Sequence, residues 1–480
     1  MKRQGEYYSQ EPHIDTRCRI DNDCYDEILQ QQNDDLVLVR NTWLNDRSPI
    51  KGNESNILYN SSKGLRSEGL KSLSQQLIQV KRRMWPAAEE CATSWETTPS
   101  KEFWNARGFN NPMEPLGEYG HRGLNQMFIN RSAIKLANIN AILGFKLIRV
   151  NIGRPDLFLF ADLCGAPGGF SEYIMNRFRS NGTRGSCRGY GMSLVGKNEH
   201  GAGARWRLED FCQIDTSFSI NYRILFGDDG TGDIYNWENI LCFQKEIERD
   251  LQEAGIQHRK MNLVVADGGF DAQRDSECQE QLAQKLVLCE FAASLQLLDH
   301  GGTLVIKLFG CQTESIRMAM RSVFDFFDSL EIIKPISSRP ASSERYVLLE
   351  GFKGLPAHYE GGQNWISNVL IGKCLRRDLS FYSRVDNYLD QIDHDMLVLN
   401  LKACFAILTT LRRRQNRKRN NCNDGKKEET DSTKVDDEDE CGSDYDYAKS
   451  LSSRDHNNFS DEERNRTDVK MYKHAWQLFL

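Results

Sequence analysis

Between about residues 157 and 350, apolar runs of strand length alternate with segments whose apolar residues recur at helical spacing. The most regular run, at 157–163, stops at a glycine-rich turn and passes into a helical pattern. Strands that are apolar almost throughout and alternate with helices are typical of a doubly wound α/β sheet buried on both faces. The further predicted elements are strands at 189–194, 222–226, 262–266, 303–306 and 343–350, and helices at 239–254 and 279–298.

The turn after the first strand is a candidate ligand site. Gly165, Gly168 and Gly169 lack the Cβ atoms that would keep a ligand away from the backbone, and Pro167 has the fixed φ that is tolerated where a helix begins. Such a turn is weak evidence alone, and this one lacks the dinucleotide spacing GxGxxG. Its neighbours at the ends of other strands therefore decide its interpretation.

Three charged residues lie at the ends of predicted elements. Asp267 and Lys307 each end an apolar strand, and Lys135 lies on a helix before the sheet. Ligands collect at the carboxyl ends of strands in an open α/β sheet, so we expect these residues to converge there. Asp267 would stay ionised, and the mutual repulsion of the lysines would lower the pKa of the more desolvated one.

Two interpretations of this Lys-Asp-Lys cluster stay open from the residues alone. A lysine with a lowered pKa can accept a proton from a weakly acidic hydroxyl, such as a ribose 2'-hydroxyl, or hold the resulting alkoxide. The alternative is an ion-pair cluster that serves only the structure.

Composition divides the chain into five segments. We expect 1–72 to be polar and largely flexible, and 73–355 to hold the α/β domain. A helical extension with a basic cluster should follow at 356–419. An acidic, disordered, low-complexity tail is expected at 420–467, and a short helix at 468–480.

Basic residues accompany two of the predicted helices. At 73–85 an apolar face of Leu73, Leu77, Val80 and Met84 is flanked by basic residues at 81–83, which suit a solvated face or a nucleic-acid contact. The basic run at 412–419 is typical of nuclear import or of an RNA-contacting edge.

Charge, cysteine content and the length of apolar runs indicate which partners and sites the protein is expected to have. The net charge of -6 does not exclude a polyanionic partner, because the acidic residues are concentrated near the end of the chain. The 14 cysteines include no CxxC pair, which disfavours a zinc site or a disulfide framework and favours reduced thiols in an intracellular protein. No apolar run approaches the roughly 20 residues that span a bilayer, so we expect no membrane association.

A series of motifs over about 81–411 resembles a known family. The motifs are NRSAIKLAN, FADLCGAPGGFSEY, GYGMSL, DGTGDI, ADGGF, VIKLF and KPISSRPASSERYV, in this order. They are similar to those of the FtsJ/RrmJ-like ribose 2'-O-methyltransferases, and most of all to the cap-specific mRNA members of that family. The resemblance implies a Rossmann-like methyltransferase sheet with flanking helices and the cofactor S-adenosyl-L-methionine.

The resemblance also assigns roles to residues. It implies a catalytic tetrad, without a metal, in which Lys307 accepts the proton, formed by Lys135, Asp267, Lys307 and Glu344. The cofactor would be bound by Asn130, Cys164, Gly165, Ala166, Pro167, Gly168, Gly169, Phe170, Asp233 and Ile234. RNA would be contacted by Lys81, Glu277, Cys278, Gln279 and Ser342.

The chain departs from the family in two positions. No acidic residue follows the strand of GYGMSL to hold the cofactor ribose, and Ser342 stands where relatives have asparagine. The G-patch, guanylyltransferase-like and WW modules of larger animal relatives are not recognisable in the sequence, so contact with the transcription or capping machinery would use the flexible tails.

The resemblance leads to a functional expectation with alternatives. We expect methylation of the ribose 2'-oxygen of the first transcribed nucleotide of m7G-capped mRNA, in the nucleus, or in the cytoplasm if the protein is viral. The second cap nucleotide or another RNA is an alternative substrate. A scaffold that binds capped RNA without catalysis is the non-enzymatic alternative.

Overall fold

The structure is a computed structural model. It describes residues 37–44, 55–91, 99–110, 128–148, 157–180, 185–195, 206–208, 220–256, 259–269, 279–359, 361–371 and 379–424. The acidic tail and the terminal helix that the sequence predicts after residue 424 lie outside these residues, while 420–424 belong to a helix.

The described residues form one eight-stranded sheet flanked by helices. The strands are β1 (Val37–Leu44), β2 (Leu157–Leu163), β3 (Ser186–Met192), β4 (Ile220–Ile224), β5 (Met261–Ala266), β6 (Leu298–Leu308), β7 (Ser329–Pro335) and β8 (Arg345–Glu350). The helices are α1 (Ser55–Cys91), α2 (Pro99–Phe109), α3 (Arg131–Ile142), α4 (Gly169–Ser180), α5 (Trp237–Glu253), α6 (Gln279–Leu297), α7 (Glu314–Val323), α8 (Gly362–Leu370) and α9 (Leu379–Asp424).

The strand order is β1-β7-β8-β6-β5-β2-β3-β4. Strands β4, β3, β2, β5 and β6 run parallel, whereas β8 pairs antiparallel with both β6 and β7. After β2 the chain builds outward through β3 and β4, then returns to place β5 on the other side of β2. The carboxyl ends of β2 and β5 therefore meet at a topological switch point, where ligands bind in such sheets. The predicted α/β fold class is confirmed.

Two of the eight strands were not predicted. Strand β7 (SLEIIKP) was missed because Glu331 and Lys334 interrupt its apolar pattern, although both side chains are buried. Strand β1 pairs antiparallel with β7 and lies in the segment expected to be loose. Because β7 was not predicted, no partner for β1 could be anticipated either.

The two faces of the sheet carry separate hydrophobic layers. Along β2 the side chains alternate: Phe158 and Phe160 pack with α3 and α4, whereas Leu159 and Ala161 pack with α5, α6 and α7. Both faces are covered, which explains the almost continuous apolar run. Among the described residues, helices cover both faces of β2, and the ends of the strand are left open to a ligand.

A third hydrophobic cluster joins α1, α2 and α9. On α1 the predicted apolar face is confirmed, since Leu77, Val80 and Met84 are buried against residues of α9 such as Leu401 and Leu408. The expected boundary at residue 72 falls inside α1. The expected boundary at residue 355 does not separate two cores, because α9 also contributes Val385 and Leu389 to the sheet layer.

Helix α9 combines an apolar surface with buried ion pairs. Between 380 and 417 it is long and apolar enough to cross a membrane by length and composition, with a mean hydropathy of 1.3 in its most apolar stretch, of which 44% is buried. Its Asp393 is fully buried and pairs with Arg345 of β8 at 2.7 Å. Asn400 donates hydrogen bonds to the carbonyls of Pro340 and Ser342 at 2.6 and 3.0 Å. Helix α9 is thus bonded to the segment that precedes β8.

Replacing Asp393 with alanine is expected to destabilise the protein strongly. The change leaves the guanidinium of Arg345, which is 4% exposed, without its carboxylate, and breaking a buried pair in this way costs about 3–5 kcal/mol. Urea denaturation measures the loss. The matched control is Glu314→Ala, which breaks an Arg321 pair whose carboxylate is 72% exposed and should cost at most about 1 kcal/mol. Equal losses in both variants would contradict the prediction.

Candidate active site

The turn between β2 and α4 has a backbone shape that depends on its sequence. Cys164 has a φ of 55° and Gly168 a φ of 111°, both in the left-handed region. The Cys164 amide donates to the Met192 carbonyl of β3 at 2.7 Å, and the Gly168 amide donates to Gly165 at 2.7 Å. Helix α4 begins at Gly169, two residues after Pro167, which follows a cis peptide bond. The turn therefore presents backbone at the switch point of the sheet.

Two glycines of this turn lie against polar side chains. A Cβ atom on Gly165 would overlap the carboxyl of Asp162, and one on Gly169 would overlap the amide oxygen of Asn130. Asn130 caps α3 by accepting a hydrogen bond from the Ser132 amide at 3.0 Å. The turn is thus a cradle whose depth requires glycine at both positions.

Asp162 lies in the floor of the cradle and was not singled out as a site residue from sequence. It is fully buried and accepts a hydrogen bond from Ser171 Oγ at 2.6 Å, while its second oxygen has no partner in the described part of the chain. Burial raises the pKa of Asp162 to about 7. A single polar residue in an apolar strand was the available signal.

The loop after β4 contains the predicted cofactor residues Asp233 and Ile234. Asn239 Nδ2 donates to the Asp233 carbonyl at 3.0 Å, and the carboxylate of Asp229 accepts from Thr231 and Asn236. Ile234 is buried in the core, 5% exposed. Next to this loop, four large apolar side chains are more than 40% exposed: Leu194, Val195, Phe226 and Tyr235. Such a surface suits a flat apolar group, and no motif in the sequence indicated it.

Two ion pairs lie where β5, β6, β8 and α3 meet. Lys307 Nζ is 3.0 Å from Asp267 Oδ1 and donates to the Asp267 carbonyl at 2.8 Å. Lys135 Nζ is 2.8 Å from Glu344 Oε2. The side chains are 8–16% exposed, so the pairs are partly buried and still reachable. The structure brings all four predicted catalytic residues into these two pairs.

Three hydroxyl groups orient the carboxylates, and none was predicted. Ser132 Oγ and Tyr346 OH each donate to Asp267 at 2.9 Å. Ser338 Oγ donates to Glu344 Oε1 at 2.9 Å. Two signals could have identified these groups. Ser132 precedes Lys135 by three residues and shares its helix face, and Tyr346 follows Glu344 by two residues, at the spacing that repeats along a strand.

The residues that form this site lie within a region that matches a known protein family. Residues 128–352, which contain the cradle and both ion pairs, match the model of the FtsJ-like methyltransferase family. This part of the chain is similar to the FtsJ-like methyltransferases. Its sheet, mainly parallel with an antiparallel strand near the end, is the predicted methyltransferase fold. The family implies S-adenosyl-L-methionine as the cofactor.

Curated relatives carry names that specify an RNA substrate. The chain is 32% identical over 273 residues to cap-specific mRNA (nucleoside-2'-O-)-methyltransferase 1 of Xenopus laevis and of Homo sapiens, covering 55% of this chain. It is 30% identical over 285 residues to a Caenorhabditis briggsae protein named as an inactive member, 1B. The chain spans only about 30% of the length of these relatives.

Among solved structures, a ribosomal RNA methyltransferase from Plasmodium falciparum is similar to 47% of the chain. That match covers 99% of the Plasmodium chain, with 17% identity and a TM-score of 0.31.

Burial and neighbouring charges shift the pKa values of two lysines in the matched region in opposite directions. Burial alone would lower the pKa of Lys307, but Asp267 and Glu344 outweigh it and raise the pKa above its usual value. The expected lowering by lysine repulsion is therefore wrong for Lys307. Burial instead lowers the pKa of Lys334, on β7, to about 7, and this residue was not predicted as part of the site.

Glu344 is the carboxylate on which these lysines converge. Burial acts to raise its pKa, yet the ammonium groups of Lys135, Lys307 and Lys334 together hold it well below the usual range. Glu344 is therefore ionised at neutral pH. Three lysine side chains surround it, and its negative charge offsets their positive charge.

The predicted RNA-contacting residues are spread over several elements. Ser342 lies beside the ion pairs, where its Oγ accepts a hydrogen bond from the Glu344 amide at 3.2 Å. Gln279 begins α6, and Lys81 lies on α1 near Cys404 of α9. Glu277 and Cys278 lie outside the described residues. No group of three His, Cys, Asp or Glu side chains suited to a metal occurs among the residues that are described.

Replacing Gly169 with alanine should weaken cofactor binding at least about tenfold, because the new Cβ displaces Asn130 from the cradle. Isothermal titration with S-adenosylmethionine measures the affinity. Gly69→Ala is the matched control, since a Cβ there meets nothing within 4 Å. Unchanged affinity in Gly169→Ala would remove the turn from the cofactor site.

A second buried carboxyl should make stability depend on pH. Glu290 of α6 is fully buried and accepts from the Gly268 amide at 2.9 Å, and burial raises its pKa to about 8. A carboxyl with a raised pKa contributes stability below its usual pKa, and that contribution is lost as the pH rises through about 8.

Glu290→Gln keeps the acceptor and removes the titration. Between pH 6 and pH 9, the free energy of unfolding of the unaltered protein should fall by about 2 kcal/mol more than that of Glu290→Gln. Urea denaturation at both pH values measures the difference. Parallel curves for the two proteins would show that the pKa of Glu290 in the folded protein is not raised above about 6.

Proposed function

We propose that this protein transfers the methyl group of S-adenosylmethionine to the ribose 2'-oxygen of the first transcribed nucleotide of m7G-capped mRNA. The observation that carries the proposal is the meeting of the Lys307–Asp267 and Lys135–Glu344 pairs at the open edge of the sheet, next to the glycine cradle. A ribose hydroxyl is a poor nucleophile at neutral pH, so its methylation needs a group that holds the oxygen and receives its proton.

The cradle suits the proposed cofactor in charge and in shape. S-adenosylmethionine supplies an electrophilic methyl group on a sulfonium, together with an ammonium and a carboxylate. The unpartnered oxygen of Asp162 lies in the floor of the cradle, where a nearby positive charge would favour its ionised form. The exposed apolar side chains around Tyr235 suit an adenine ring.

Lys307 is the proposed proton acceptor. Its Nζ is held by two oxygens of Asp267, and Asp267 is itself oriented by Ser132 and Tyr346. This fixes the direction of the lysine and allows it to hold the 2'-oxygen in line with the methyl group. The raised pKa of Lys307 means that only a small fraction carries a free lone pair at neutral pH. The rate of methyl transfer therefore rises with pH in the alkaline range.

Lys135 and Glu344 complete the site as a balanced pair. Glu344 is ionised and offsets the charge of the lysines, so two ammonium groups can share one cavity. Lys135 Nζ is thereby held at the cavity wall, where it stabilises the negative charge that develops on the 2'-oxygen.

The assignment to capped mRNA rests on the relatives' names and on the resemblance of the motifs. The second cap nucleotide and other RNAs are alternative substrates that keep the same chemistry. A capped-RNA-binding scaffold is the non-enzymatic alternative, since one relative is named inactive. The presence of Lys135, Asp267, Lys307 and Glu344 in two ion pairs favours the enzyme.

We also propose a nuclear location from the basic run at 412–419.

The test is incorporation of label from radioactive S-adenosylmethionine into short RNAs that begin with m7GpppA, m7GpppAm, GpppA or a triphosphate. Label on m7GpppA and not on m7GpppAm is the expected result. Label on m7GpppAm would move the substrate to the second nucleotide, and label on the triphosphate RNA would point to a target other than the cap. No label on any RNA would favour the scaffold.

Lys307→Ala should lower the methylation rate by at least about a hundredfold, because proton transfer by a positioned side chain contributes this much. The matched control is Lys353→Ala. Lys353 also donates to a backbone carbonyl, that of Phe327, but follows the carboxyl end of antiparallel β8 at the opposite edge of the sheet. It should keep the full rate. Equal rates for Lys307→Ala and the unaltered protein would refute the proton-acceptor role.

A further inference from the structure

Lys334 is a buried lysine outside the two catalytic ion pairs. It belongs to β7, is 0% exposed, and has no carboxylate as a direct hydrogen-bond partner among the described residues. Its Nζ donates to Ser338 Oγ at 2.7 Å, to the Ser342 carbonyl at 2.9 Å and to the Glu344 carbonyl at 2.6 Å. Three acceptors surround one nitrogen, which is the number that an ammonium group satisfies.

The three acceptors all belong to the segment 336–344, which we call the β7–β8 loop. This loop also receives the Asn400 side chain on the carbonyls of Pro340 and Ser342. Its own amides are hydrogen-bonded: Ser338 to the Pro335 carbonyl at 3.0 Å, and Ser342 to the Arg339 carbonyl at 3.0 Å. The loop is therefore folded around the Lys334 ammonium group, which bonds to three of its residues.

A chain of hydrogen bonds leads from Lys334 to the catalytic site. Lys334 donates to Ser338, Ser338 donates to Glu344 Oε1 at 2.9 Å, and Glu344 Oε2 pairs with Lys135 at 2.8 Å. The same loop carries Ser342, next to Glu344. The Lys334 ammonium group thus helps to position both the Glu344 carboxylate, through Ser338, and the backbone of the β7–β8 loop.

We propose that Lys334 is a positioning residue whose ammonium group holds the β7–β8 loop in the conformation that receives RNA, and that loss of its proton releases the loop. A neutral amine has two N–H groups for three acceptors, so one loop contact is lost. The identity of the loop's ligand as RNA rests on the proposed function, whereas the effect of Lys334 on the loop does not.

The surroundings of Lys334 make this proton loss accessible near neutral pH. Burial lowers its pKa to about 7, with Glu344 of the β7–β8 loop opposing and Lys135 of α3 and Arg345 of β8 adding to the effect. From α9 the loop is faced by the uncharged Asn400. Cations therefore outnumber carboxylates around Lys334, while Lys307 faces the carboxylates of Asp267 and Glu344.

The direct test is hydrogen exchange of the loop amides, with Lys334→Met as the variant. In the unaltered protein, protection of the Ser338, Ser342 and Glu344 amides should fall about fivefold between pH 6 and pH 8.5, after correction for intrinsic exchange, as expected for the loss of one hydrogen bond. In Lys334→Met, protection should be low and the same at both pH values. Equal pH dependence in both proteins would overturn the proposal.

A second variant keeps the test decisive if Lys334→Met does not fold. Ser338→Ala removes one acceptor, which disfavours the ammonium and should move the loss of protection to lower pH. Lys353→Met is the matched control, because it removes a lysine that also bonds to a backbone carbonyl, and it should leave the loop unchanged. Absence of any shift in Ser338→Ala would also overturn the proposal.

Steady-state kinetics connects the loop to the reaction. With m7GpppA-RNA, the KM for RNA should rise about fivefold between pH 6 and pH 8.5 in the unaltered protein and be independent of pH in Lys334→Met. The affinity for S-adenosylmethionine should be the same in both. A merely structural lysine would raise KM without removing its pH dependence. If no RNA is methylated, the proposed function fails, and hydrogen exchange still decides the role of Lys334.

Discussion

The structure depends on balancing charges that are buried at one edge of the sheet. Removing a lysine or a carboxylate from water is costly unless an opposite charge or sufficient hydrogen bonds replace the solvent. Here three lysines come from α3, β6 and β7, while the carboxylates of Asp267 and Glu344 lie directly after β5 and directly before β8. No single element can carry this arrangement alone, because each charge is stabilised by groups on another element. The site therefore exists only when the sheet is assembled in its observed order.

Helix α9, which follows the sheet, helps to hold these charged residues in place. Arg345 follows Glu344 directly, and its guanidinium is fixed by the buried Asp393 of α9. Asn400, two helical turns further along, holds the loop that precedes Glu344. The carboxylate that balances the lysines is thus fixed from both sides along the chain. The family match ends at residue 352, so this support comes from residues beyond the matched domain.

Local patterns predicted much of the fold and the convergence of Lys135, Asp267 and Lys307, whereas Glu344 was expected only from the family resemblance. Strand β2, its glycine turn and the charged residues at the strand ends are visible in short stretches of sequence, because each depends on neighbours within a few positions. Strand β7 and Lys334 could not be predicted in this way. A glutamate and a lysine in a strand suggest exposure, yet both are buried, and the hydrogen-bond partners of Lys334 lie in the loop that follows the strand. The direction of the Lys307 pKa was missed for the same reason, since it depends on how many carboxylates the fold brings near.

Lys307 and Lys334 show how one residue type acquires two roles. Both are buried, so desolvation acts against the charge of each. Asp267 bonds Lys307 directly and Glu344 adds to its attraction, so the ammonium is retained. Lys334 is bonded by a hydroxyl and two carbonyls and is close to Lys135 and Arg345, so its ammonium is easily lost. The difference lies in where the chain places its carboxylates. A lysine with a raised pKa binds a proton firmly once it has accepted one, whereas a lysine that releases its proton near neutral pH can adjust a loop. The placement of two carboxylates therefore gives the two lysines different proposed roles within one site.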